Sequence, residues 1–86
     1  MDKVTGAALR VTEIERGGLP SSDDVLLTLR ELATYLRRHE MVVWREAKAG
    51  RLPGIKIANR WMFRTGAIRA WLRAQEEAAV AQAAAQ

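Results

Sequence analysis

The side chains with most capacity for chemistry are cations: Arg37, Arg38, Arg45, Lys48, Lys56, Arg60 and Arg64. All lie within residues 28–73, which hold eleven basic and three acidic residues, a balance of +8. Residues 1–27 and 74–86 carry −2 each. Cations at this density attract a polyanion through Coulomb forces and counterion release. The other reading of the same density is a solvated, ion-paired surface, and position has to decide between the two.

Catalysis is poorly served. His39 is the single histidine and there is no cysteine. Set between Arg38 and Glu40, His39 suits a capping or solvated role. Glu76 and Glu77 are adjacent on a helix-forming stretch, so they point in different directions. Gly17-Gly18 lacks the Gly-Lys-Ser/Thr of a phosphate loop, and Gly50 and Gly54 read as turn residues. The chain is therefore not expected to be an enzyme, and neither a cofactor nor a metal site is expected.

A chain of 86 residues with 49% apolar content fits one small folded domain. No apolar run approaches the length of a membrane span. The first residues lack the basic start and apolar stretch of an export signal. Absence of cysteine fits a reducing compartment, so a cytoplasmic, nucleoid-associated protein is expected.

Residues 1–25 read as a mobile arm. Leu9–Ile14 could form a short strand, and Gly17–Ser22 has turn and linker composition. Thr28 with Glu31 makes a capping box that opens a helix carrying Leu29, Leu32, Ala33 and Leu36 on one face. A turn at 37–39 leads to a second helix, about Glu40–Ala49, with Val43 and Ala47 inward and Gly50 as its stop. Ile55–Ile57 and Trp61–Phe63 alternate as a hairpin around Ala58-Asn59-Arg60, with Ile55, Ile57, Trp61 and Phe63 expected on one apolar face. Thr65 can cap a third helix with Ile68, Trp71 and Leu72 inward. Trp61 and Trp71 are expected in the core. Residues 74–86 are alanine-rich and helix-forming, with little to bury.

Helix, turn, helix, hairpin, helix is the order of a winged helix-turn-helix, mainly α with a small β-hairpin wing. The domain is expected over residues 26–73, followed by a helical tail at 74–86. Two helices joined by a short turn fit a DNA major groove, the N-terminal residues of the second reaching base edges. Those residues are Glu40, Met41 and Val42, with Arg45 one turn on. Arginine can bond guanine bidentately, glutamate can accept from a cytosine amine, and Met41 or Val42 can meet a thymine methyl. Glu40 also has a purely structural reading as a first-turn carboxylate favoured by the helix dipole. Thr28, Arg37, Arg38, Lys48, Lys56, Arg60 and Arg64 are the candidates for the DNA backbone. Trp44 either half-buries against the wing or offers its indole N–H to a phosphate.

The run from Leu26 to Leu72 resembles the excisionase-type, MerR-related winged helix-turn-helix family. The resemblance is carried by Leu27-Thr28-x-x-Glu31-Leu32-Ala33, Val43 with Arg45, Gly50-x-Leu52-Pro53, Lys56-Ile57, Arg60-Trp61-x-Phe63 and Ile68-x-x-Trp71-Leu72. It implies the winged fold and sequence-specific binding of double-stranded DNA, as a small transcriptional regulator or an excisionase-like architectural factor. The chain departs from the family pattern at Arg37-Arg38, where Gly-Val is common, and at His39, where Ser is common. Ala58 stands where a wing-turn Gly is frequent, Met62 where a basic residue often sits, and Glu46 where a larger apolar residue often sits. Double-stranded DNA is the expected partner, joined by self-association or a cooperative array, and by an integrase or recombinase. Two rival readings are an adaptor that docks its tail on a recombinase, terminase or polymerase, and an RNA binder. The RNA binder has only Trp44 as a stacking candidate.

Overall fold

The computed structural model describes residues 3–85, with side chains from residue 10 to residue 84. The described residues form four helices and a three-stranded antiparallel sheet: α1 (Lys3–Gly17), β1 (Leu26–Thr28), α2 (Leu29–Leu36), α3 (Glu40–Lys48), β2 (Ile55–Ile57), β3 (Arg60–Arg64) and α4 (Thr65–Ala85). Strand order is β1-β3-β2. The architecture is a winged helix-turn-helix.

Thr28 ends β1 and caps α2 without an intervening residue. Its extended backbone (φ −77°, ψ 168°) turns the chain, and its Oγ1 accepts from Glu31 N at 3.1 Å. Glu31 Oε1 accepts in return from Thr28 N at 2.8 Å, closing the expected capping box. At the other end of α2, Arg37 takes a left-handed conformation (φ 56°, ψ 45°). Arg37 N donates to Thr34 O at 3.2 Å and Arg38 N to Ala33 O at 3.0 Å, so the last carbonyls are satisfied as in a Schellman closure. His39 then opens α3 with its backbone carbonyl, which accepts from Val42 N and Val43 N, and its side chain makes no capping bond.

The hairpin turns through Ala58 and Asn59, both at positive φ (50° and 65°), as a two-residue type I′ connection requires. Arg60 already belongs to β3. The register sets Ile55 opposite Met62, Lys56 opposite Trp61 and Ile57 opposite Arg60. Opposed residues share a face, so Ile55 and Ile57 lie on the side away from Trp61 and Phe63. They are 45% and 46% exposed, which corrects the single apolar face expected for the hairpin. The inner face is completed instead by β1, where Leu27 pairs with Phe63 and both are fully buried.

Ile14, Leu27, Leu32, Ala33, Val43, Ala47, Leu52, Phe63 and Ile68 form the core. Trp61, Trp71 and Leu72 pack on its margin and are only partly buried, so the two tryptophans are not the interior residues expected. Trp71 Nε1 donates to Arg51 O at 2.8 Å. Trp61 Nε1 is buried and has no partner among the described residues.

Ile14 brings α1 into this core. The strand expected at Leu9–Ile14 is therefore a helix, and the mobile arm is docked on α2 through an apolar contact that short-range alternation could not reveal. Gly18, at φ 94°, ends α1. The segment after it is strapped to the start of α4. Thr65 N donates to Val25 O and Gly66 N to Asp23 O, while Arg69 Nη1 meets Asp23 Oδ1 at 2.6 Å and Arg69 Nη2 donates to Pro20 O. Thr65 does not cap α4 with its hydroxyl as expected. The buried hydroxyl donates instead to Ser22 O, and the Thr65 and Gly66 N–H groups are taken by Val25 O and Asp23 O. From there α4 runs without a break across residues 73 and 74, and every position from Arg73 to residue 84 is exposed.

Candidate nucleic-acid interface

Helix α3 turns Val43 and Ala47 into the core. At 100° per residue, the positions opposite those two are Met41, Arg45 and Lys48. All three are exposed, Met41 to 60%. Glu40 is exposed at the first turn and Val42 is half-buried on one flank. The other flank carries Trp44, half-buried, with Lys48 Nζ 4.7 Å from the centre of its ring. The indole thereby holds an ammonium group beside the outward stripe while part of its own surface is covered, which is the packing alternative for Trp44.

That flank faces the wing. A cleft of about 450 Å³ is bordered by Thr28, Arg30, Trp44, Lys56, Arg60 and Trp61 among others. Lys56 Nζ stands 5.7 Å from the Trp61 ring centre, and Arg60 follows the type I′ turn at the wing tip. The structure thus brings one side of α3 and the cations of the wing around a common hollow. Arg37 and Arg38, with His39 and Val42, border a second hollow at the N-terminal end of α3. Arg64 is placed apart. It meets Asp24 Oδ1 at 3.4 Å rather than standing free in the hairpin, because β1 and the segment before it pair along β3.

With this geometry, residues 26–76, more than half of the chain, match the helix-turn-helix domain family. The chain belongs to that family. No curated protein and no solved structure matches it. The match supports DNA binding in general, since a helix-turn-helix is a unit that seats its second helix in the major groove. All of α1 and the last turns of α4 lie outside the matched residues.

Ion pairing distinguishes the cations of this chain. Arg10, Arg51, Arg64 and Arg69 each meet a carboxylate. Among the described residues, Arg30, Arg37, Arg38, Arg45, Lys48, Lys56 and Arg60 make no ion pair. Among the same residues Arg16 and Arg73 are likewise unpaired, while these seven are the cations of the outward α3 stripe, the turn and the wing cleft. Glu46, the second of the two carboxylates of α3 after Glu40, is held by Arg51 through two bonds of 2.8 and 3.0 Å. The Arg51 hydrogen bond holds the Glu46 carboxyl below its ordinary range, and the same bond pushes Arg51 up. The pairing offsets the one carboxylate in the middle of α3 that would repel a phosphate.

Arg30 is the residue that sequence reading missed. Its position two residues after the cap gives no signal beyond an exposed helix site. Only the folding of β1 and the wing against α2 turns that site into a wall of the cleft.

Proposed function

We propose that this helix-turn-helix protein binds double-stranded DNA sequence-specifically, as a small transcriptional regulator or an excisionase-like architectural factor. The observation that supports it most strongly is the shared cleft between the Trp44 flank of α3 and the wing residues Lys56 and Arg60. A groove-seated α3 then has its wing beside the adjacent backbone.

In this reading Met41 and Arg45 face the base edges from the outward stripe, with Glu40 and Val42 at the entering end. Arg45 takes a guanine through its planar fork. Arg37, Arg38, Lys48, Lys56 and Arg60 hold phosphates, and Trp44 supports Lys48. Thr28 accepts within the capping box, so its hydroxyl hydrogen is free to be donated to a phosphate. Arg64 is left to Asp24.

The plot of log K against log salt is expected to fall with a slope of roughly −4 to −6, from five or six phosphate contacts. Selection of bound duplexes from a random pool should return a defined site. A slope near zero on every duplex, or a pool that shows no enrichment, contradicts the reading.

The exposed end of α4 supports a second reading. From Arg73 to residue 84 every position is exposed, Val80 to 68%. A surface of that kind suits an adaptor that docks on a recombinase, terminase or polymerase, or a second copy that adds affinity on DNA. Sedimentation separates the two functions: an adaptor gains no mass with DNA.

A further inference from the structure

Beside the helix-turn-helix turn lies a hollow of about 810 Å³, of whose lining the proposed DNA contacts take in only Arg37, Arg38 and Glu40. Its walls are the end of α1, one side of α2 and the turn itself. Arg16, Arg30, Arg37 and Arg38 border it, against Glu15 and Glu40. Among the described residues none of these four arginines is ion-paired. Four guanidinium groups gathered without partners around one concavity repel one another, and a bound polyanion relieves that repulsion. Arg30 borders both this hollow and the wing cleft, so the two are joined into one cationic path. The path runs from Lys56 and Arg60 past Arg30 to the turn, and ends at Arg16.

We propose that this hollow holds a further stretch of DNA backbone, with Arg16 of α1 and Arg30 of α2 as phosphate-binding residues. The inference rests on the DNA reading above and extends it. Helix α1 is then part of the binding surface as well as a support for α2. Arg16 reaches the site because Ile14, two residues earlier, anchors α1 in the core, and Gly18 ends the helix just beyond. The occupant is backbone rather than bases, since guanidinium groups spread around a wide hollow suit successive phosphates and carry no base-edge pattern.

The experiment is fluorescence anisotropy of the full chain on a mixed-sequence duplex over a salt series. The parent is compared with Arg16→Gln, Arg30→Gln, the double variant and Arg16→Lys. Each glutamine is expected to reduce the magnitude of the salt slope by about 0.9, and both together by about twice that. Arg16→Lys should keep the parental slope, because a phosphate contact needs the charge and not the fork. Circular dichroism checks that α1 remains folded. Arg30 stands on α2, behind an intact capping box, and therefore tests the hollow independently of α1. A steep parental slope that neither glutamine changes overturns the proposal and leaves the DNA reading intact. A flat parental slope overturns both.

Discussion

Arg10 of α1 and Glu31 of α2 meet across the helix pair, Nη1 to Oε1 at 3.6 Å. The same carboxylate oxygen accepts from Thr28 N in the capping box, and Arg10 Nη1 also donates to Leu26 O at 3.2 Å. Glu31 is buried, so its charge needs such partners, because a lone buried carboxylate is strongly disfavoured. One arginine therefore ties the helix outside the family match to the strand and cap at which the helix-turn-helix begins. The wing, α2 and α3 are positioned from that point.

The docking of α1 has a direct stability consequence. Ile14 is 4% exposed, and Ile14→Ala should cost about 2–4 kcal/mol through lost burial and a residual cavity. Thermal unfolding reads this as a drop of about 4–8 °C per kcal/mol for a domain of this size. A melting temperature shifted by no more than an exposed helix substitution gives would show that α1 does not pack on α2.

Arg37 places backbone strain and charge on one residue. A left-handed conformation costs a side-chain-bearing residue about 1–2 kcal/mol that glycine escapes. Arg37→Gly is expected to stabilise the fold by about 1 kcal/mol in urea unfolding, the looser unfolded chain offsetting part of the relief. The same variant should lower the magnitude of the salt slope by about 0.9. Stability and binding would thus move in opposite directions. A destabilised variant would show that Arg37 supports the turn through its side chain.

Gly54 is a close-approach glycine. A Cβ there would lie 2.8 Å from Phe63 Cε1 and 2.9 Å from Trp61 Cε3. Phe63 is fully buried and cannot move aside freely, so Gly54→Ala should cost about 1–3 kcal/mol by overpacking. Equilibrium unfolding checks it. An unchanged midpoint would mean that Phe63 and Trp61 leave room for a methyl group at residue 54.

Glu46 should titrate below the ordinary glutamate value of 4.5, chiefly because Arg51 donates to its carboxylate. A depressed carboxyl favours the fold above the unfolded value and loses that contribution as pH falls through the folded one. Both groups are exposed, so the visible effect is a shift in titration midpoint rather than in overall stability. Carboxyl NMR through an acid titration should show the low midpoint, and Arg51→Ala should return it toward the ordinary range. A Glu46 midpoint indifferent to Arg51 contradicts the pairing.

The parts of this molecule that can be read in its sequence are those set by near neighbours. Thr28 and Glu31 form their capping box across three residues, and Val43 and Ala47 identify the inner side of α3 by spacing alone. Ile55 and Ile57 show the limit of that logic. Alternation marks a strand, but a one-residue choice of register decides which set of side chains faces the core. Strand β1 is three residues long, too short to alternate visibly, and exists because β3 offers it an edge. The docking of α1 depends on Ile14 meeting a core assembled from distant elements. Of the candidate site, Met41, Arg45, Lys48, Lys56 and Arg60 could be proposed from the order of elements. Arg30 gained its position only from tertiary folding, and Arg64 lost its freedom to Asp24 in the same way.

The central claim is that the outward stripe of α3 reads base edges beside the wing. Its most direct test is binding of the parent and Arg45→Ala to a duplex selected by the parent and to single-base variants of it. Arg45→Ala is expected to bind the selected duplex about 1–3 kcal/mol more weakly and to lose discrimination at one base pair, with the salt slope nearly unchanged. If Arg45→Ala matches the parent on every duplex, α3 does not read the sequence and the assignment of its outward face is wrong.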